Sequence, residues 1–61
     1  MKVEIRVTRN GEDDQEFDVL VMVPVDEGVV SRVAYDEDGM HWELTDEERD
    51  KARGVWERLE Q

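Results

Sequence analysis

One histidine, one serine and no cysteine leave this chain few ways to build a catalytic centre. General acid–base work by His41 needs a nucleophile or an orienting carboxylate held with it in a pocket. Alternation puts His41 and Glu43 together on the outer side of a strand, so His41 reads as a solvated histidine. Ser31 alternates onto the inner side, where no histidine could activate it, and reads as structural. Asp36-Glu37-Asp38-Gly39 resembles the opening of a calcium loop, but such a loop needs a third oxygen ligand before the glycine and a glutamate six positions after it. Position 45 is Thr, so these four residues read as a hairpin turn. Glycine-rich phosphate loops are absent, and without cysteine neither a disulfide nor a thiolate metal site can form. The residues predict no enzyme, no cofactor and no metal site.

Carboxylate is what the chain has in excess. Eighteen acids against eight bases give a net charge of −10 on 61 residues. The imbalance is concentrated: residues 10–48 hold fourteen acids and one base, Arg32, whereas the remainder holds four acids and seven bases. A field of that sign repels nucleic acid and anionic membrane and attracts basic protein surfaces. The longest apolar run, Phe17 to Val25, is interrupted by Asp18 and too short to span a bilayer. Met1 to Arg6 alternates charged and apolar residues and lacks the apolar core of a signal peptide. A cytoplasmic protein with no membrane contact is expected.

The apolar residues are patterned enough to fold, as a single domain spanning 1–61 with one small core. Val3, Ile5 and Val7 alternate with charged residues, and Phe17, Val19, Val21 and Val23 continue the pattern, which predicts strands over about 2–9 and 16–25. Two more are predicted over 29–35 and 40–44, separated by the turn residues Asn10-Gly11, Asp26-Glu27-Gly28 and Asp36-Glu37-Asp38-Gly39. A two-residue turn at Asn10-Gly11 would put acids opposite Val7 and Ile5. A loop of three or five residues, with Phe17 opposite Ile5 or Val7, avoids this. A three-residue loop at 26–28 then pairs Val21 with Val33, and a four-residue loop at 36–39 pairs Tyr35 with Met40. This register puts Val29, Val33, Tyr35, Met40, Trp42 and Leu44 on the inner face with the valines of the first two strands. It leaves Leu20 opposite Ala34, and Pro24 opposite Val30, as an outer apolar patch, with Arg32 opposite Glu43.

Thr45-Asp46-Glu47-Glu48 is a capping box, with acids well placed on the helix dipole. Ala52, Val55, Trp56 and Leu59 then recur as an apolar stripe, so a helix over about 46–60 is predicted to cover the sheet. Glu47 and Lys51 make an i,i+4 pair. Gly54 falls opposite the stripe, where it is tolerated at a cost of about 1 kcal/mol relative to alanine. The expected fold is α+β: an antiparallel four-stranded meander with one C-terminal helix packed on one face.

In such a meander the first and third turns share an end. Glu12, Asp13 and Asp14 are then expected to join Asp36, Glu37 and Asp38 at one pole. Asp26 and Glu27 should join the helix start, Asp46 and Glu47, at the other, and the helix should carry Glu57, Glu60 and the C-terminal carboxylate back toward the first. These clustered acids are the candidate partner-binding residues. They would copy a nucleic-acid backbone and occupy a Lys/Arg groove, with no direct contact to nucleic acid.

The stretch YDEDGMHWELTDEERDKARGVWERLEQ resembles the tails of small acidic phage and mobile-element proteins, in which a strand ending in a similar Trp-Glu-Leu-Thr-Asp-Glu-Glu run leads into a terminal helix. The anti-CRISPR proteins belong to that group, and several of them resemble DNA in charge. The resemblance implies a stoichiometric inhibitor in the host cytoplasm, acting on a Cascade-type or Cas effector assembly through a basic surface of an effector subunit. A monomer is expected rather than a homodimer. A different expectation is a phage accessory or halophile-type domain that binds through its apolar sheet face, its acids serving solubility alone.

Overall fold

The computed structural model describes residues 1–60 and has the expected α+β architecture, with five strands in place of four. The strands are β1 (Lys2–Asn10), β2 (Glu16–Asp26), β3 (Val29–Val30), β4 (Val33–Tyr35) and β5 (His41–Glu43), followed by helix α1 (Asp46–Leu59). Pairing is antiparallel in the order β1-β2-β4-β5, with β3 also on β2. Val3, Ile5, Val7, Val21, Val23 and Val25 are buried on the inner face, and Ala52 of the helix packs down among them without exposure. The core is built mainly of valine, the residue that best fits a pleated and half-buried surface.

The first hairpin keeps its expected faces but not its expected partners. Phe17 lies opposite Arg9, and Val7 opposite Val19, a slide of two residues from the closer expected pairing. A five-residue loop, 11–15, is closed by the Gly11 N–H donating to the Gln15 carbonyl at 2.8 Å. Asp14 takes the left-handed conformation, with φ 57°, which aspartate tolerates better than most residues.

The second hairpin overturns the expected register. Its turn is the two-residue Glu27-Gly28, with φ 52° and 81°, and it pairs Asp26 with Val29 and Val25 with Val30. Two consecutive left-handed residues match the strand twist. Val30 therefore turns inward, and Val29 is 66% exposed. The chain next breaks at Ser31-Arg32. From Val25↔Val30 to Met22↔Tyr35, β2 advances three residues while its partner advances five, so two residues are extruded. Ser31 Oγ holds the break by accepting from the Val33 N–H at 3.1 Å and donating to the Val33 carbonyl at 2.8 Å. Ser31 is thus no inner-face strand residue. The break divides the predicted third strand and turns Ala34 fully inward and Tyr35 outward. The expected outer patch of Leu20 with Ala34 and Pro24 with Val30 does not form, because Ala34 and Val30 are core.

The third loop spans five residues, 36–40, and pairs Tyr35 with His41, Ala34 with Trp42 and Val33 with Glu43. Met40 is consequently exposed, and Arg32 meets the last strand only through its carbonyl, which accepts from the Leu44 N–H at 2.8 Å. Trp42 and Leu44 stay inward as expected.

The capping box forms in full. Thr45 Oγ1 accepts from the Glu48 N–H at 3.2 Å, and Glu48 Oε1 accepts from the Thr45 N–H at 2.9 Å. Leu59, expected on the apolar stripe, is exposed, and Lys51 reaches the Arg6 carbonyl at 3.2 Å in place of Glu47. A Cβ on Gly54 would meet nothing within 4 Å, so that glycine is simply tolerated. The helix direction differs from expectation. Glu48 meets Arg9 near the 11–15 loop, and the Trp56 ring lies 3.5 Å from the Cβ position of Gly28. The helix therefore runs from the first-loop end toward the Glu27-Gly28 end. With β4 and β5 only three residues each, the chain enters the helix before it has travelled back along the sheet.

Candidate acidic surface and outer-face groove

That helix direction redistributes the acids. Asp46 and Glu47 start the helix on the Arg9 side, away from Asp26 and Glu27, and Glu57 and Glu60 head toward the second turn. The C-terminal carboxylate, on Gln61, lies outside the described residues. Asp36–Asp38 do not join Glu12–Asp14 at a tip. Tyr35 pairs with Met22, part-way along β2, so the third loop leaves the sheet beside the middle of that strand. There it walls a groove of about 470 Å³ on the face opposite the helix, lined by Glu4, Asp18, Val19, Leu20, Met22 and Asp36–Asp38. A smaller hollow of about 420 Å³ gathers Asp26 and Glu27 with Pro24, Val29 and Ser31 at the second turn. The acids thus form separate patches along a body 41 Å long and 20 Å wide.

Asp36 differs in kind from its neighbours. Its Oδ1 accepts from the Asp38 and Met40 N–H groups, both at 2.9 Å, and its Oδ2 accepts from the Trp42 indole N–H at 2.9 Å. Gly39, with φ 83°, completes the turn by donating to the Asp36 carbonyl at 3.0 Å. The indole bond, followed by these backbone donors, holds the Asp36 carboxyl below its ordinary range. Asp36 therefore builds the loop, and Glu37 and Asp38 carry its outward charge. Asp18 Oδ1 accepts from Thr8 Oγ1 at 2.8 Å across the first hairpin.

Little of the acidity is paired within the chain. Two ion pairs form among the described residues: Arg9 with Glu48 at 2.6 Å, and Arg49 with the highly exposed Asp46 at 3.7 Å. Glu12, Asp13, Asp14, Asp26, Glu27, Glu37, Asp38 and Glu47 take part in neither. The Arg9 bond pulls the Glu48 carboxyl down, and the same bond raises the Arg9 guanidinium. His41 stands exposed against the Tyr35 ring, centroids 4.7 Å apart in an edge arrangement. Among the described residues, no group of three or more His, Asp or Glu side chains is arranged to hold a metal ion, and no helix is long and apolar enough to cross a membrane.

Sequence reasoning missed Glu4 and Asp18 as companions of the third-loop acids. The available signal was Asp18 breaking an apolar run on the same face as Leu20 and Met22. No protein-family model matches the chain, and neither a curated protein nor a solved structure matches it.

Proposed function

We propose that this domain is an acidic protein-binding inhibitor that occupies a basic, nucleic-acid-binding surface of another protein, in the manner of a DNA mimic. A Cas effector subunit is the partner implied by the resemblance of the domain's second half to small acidic phage and mobile-element proteins, the anti-CRISPR proteins among them. One observation carries the reading. Eight of the ten candidate acids are exposed carboxylates free of ion pairs and of side-chain hydrogen bonds among the described residues, the others being Asp36 and Asp46. Clustered like charges destabilise a compact chain, and a groove of Lys and Arg shaped for phosphates would relieve that repulsion. Separate acidic patches along an elongated body suit a linear groove better than a single pole does.

The rival reading is general solvation, with acids that serve salt tolerance or solubility. Thermal unfolding in dilute buffer and in molar salt separates the two. An inhibitor that acts in ordinary cytoplasm folds cooperatively in dilute buffer, and salt raises its Tm only modestly by screening exposed charge. A chain that folds only in molar salt is a halophile-type domain and removes the proposal.

A further inference from the structure

The two sides of the first hairpin are guarded unequally. On the free edge of β1, the Arg6 carbonyl accepts from Lys51 Nζ at 3.2 Å and the Thr8 carbonyl accepts from Arg9 Nη1 at 2.8 Å. Cations placed this way discourage another strand from pairing there. The far side of β2 has no such guard. The Val25 N–H donates to the Met1 carbonyl at 2.7 Å, which marks the odd-numbered positions as the hydrogen-bonded pairs of the β1–β2 ladder. The amides and carbonyls of Asp18 and Leu20 therefore point away from β1. On that side β2 pairs with β4 only at Met22↔Tyr35, and no other hydrogen bond among the described residues reaches the Asp18 or Leu20 backbone.

This open stretch of edge borders the 470 Å³ groove. Leu20 and Met22, 49% and 37% exposed, form its apolar floor. Glu4, Asp18, Glu37 and Asp38 supply the outward charge around that floor, and the Asp36 carboxylate adds a charge held within its loop. Open backbone groups, an apolar floor and a surround of one sign call for three complementary features in a ligand: an extended backbone, apolar side chains and cations. Addition of a strand to a free edge meets the first of these.

We propose that the groove binds an extended, lysine- or arginine-bearing segment of the partner protein, laid along Asp18–Leu20 with its apolar side chains on Leu20 and Met22. This rests on the basic-partner reading above and narrows it to one place on the molecule. The acids of the first loop, Glu12–Asp14, lie outside the groove.

A fluorescein-labelled octapeptide alternating lysine and valine is the probe, followed by anisotropy at constant ionic strength. Saturable binding is expected, weakened about tenfold by Leu20→Lys, by Glu37→Lys, or by N-methylating alternate peptide amides, while Asp50→Asn, at an exposed helix position outside the groove, changes it by less than about twofold. Leu20 and Glu37 are exposed, and thermal unfolding of each variant verifies its fold. Equal binding by wild type and Leu20→Lys overturns the groove, and equal binding of the N-methylated peptide overturns strand addition. A sedimentation profile showing a dimer that Leu20→Lys dissociates makes a second copy the occupant and also overturns the proposal. If the wild-type domain ignores the peptide yet still displaces DNA from a basic protein, the groove assignment fails and the inhibitor reading stands.

Discussion

Ala34→Lys leaves the domain unfolded in dilute buffer, whereas Tyr35→Lys, one residue further on, folds with a loss of about 1 kcal/mol. The contrast comes from the two residues extruded at Ser31-Arg32. Ala34 has no exposure and lies opposite Trp42 within the core cluster, whereas Tyr35 is 37% exposed on the other face. An ammonium buried without a partner costs several kcal/mol, and a single core below about 70 residues rarely supplies more than about 3–5 kcal/mol in total. Urea titrations of both variants, followed by circular dichroism, decide the matter. Under the register expected from simple alternation, with Tyr35 inside and Ala34 outside, the ranking reverses.

Loss of the Arg9–Glu48 contact is the second large effect. Arg9 donates to Glu48 Oε2 at 2.6 Å, to Glu48 Oε1 at 2.9 Å, to the Glu43 carbonyl at 2.7 Å and to the Thr8 carbonyl at 2.8 Å. One guanidinium thus ties the end of β1 to the end of β5 and to the first turn of the helix. Both side chains are largely shielded, 23% and 17% exposed, so solvent screens the pair less than a surface bridge. Two-point carboxylate recognition by arginine is among the stronger side-chain contacts. Glu48→Ala removes it together with half of the capping box, and a loss of about 2–3 kcal/mol is expected. A double-mutant cycle with Arg9→Ala should return a coupling above about 1 kcal/mol.

The same contact sets the acid limb of the stability curve. Glu48 and Asp36 both have lowered folded-state pKa values, so the unfolded chain takes up their protons first. Their contribution is complete above the ordinary carboxyl range, near pH ~4, and is lost as pH falls through the lowered folded values. Unfolding measured against pH should therefore show a steep acid limb in the wild-type domain. That limb should flatten in Glu48→Gln, which no longer exchanges this proton.

Much of the architecture is legible in the residues. Strict alternation over Lys2–Thr8 and the odd-numbered apolar set of β2 define the inner face of the first hairpin, and Thr45 with Glu48 announces the helix start. Register beyond Val25 is not legible, for identifiable reasons. Val29 and Val30 are equally apolar, so alternation cannot choose between them. The two-residue turn has glutamate at a left-handed position usually filled by asparagine, aspartate or glycine. A serine bonded to its own strand, which extrudes two residues, leaves no periodic trace.

The candidate site divides in the same way. Exposure of the turn acids follows from their residue types alone. Which acids meet depends on where β4 stops, and that follows from the extrusion at Ser31-Arg32. The Asx turn from Asp36 to Gly39 could be read from composition. The Trp42 indole that occupies the other oxygen of Asp36 could not, and it separates a structural acid from its free neighbours.

Inhibition by this domain is tested most directly by displacement of DNA from a purified Cas effector assembly of the Cascade type at constant ionic strength, read as bound labelled DNA against added domain. The wild-type domain should release the DNA at a near-stoichiometric ratio. Reversal of Asp13, Asp14, Glu37 and Asp38 to lysine, which spares the loop-building Asp36, should abolish that release without unfolding the chain. DNA that stays bound at a large excess of the wild-type domain, or that the reversed variant releases equally well, contradicts a role for these acids as a nucleic-acid mimic.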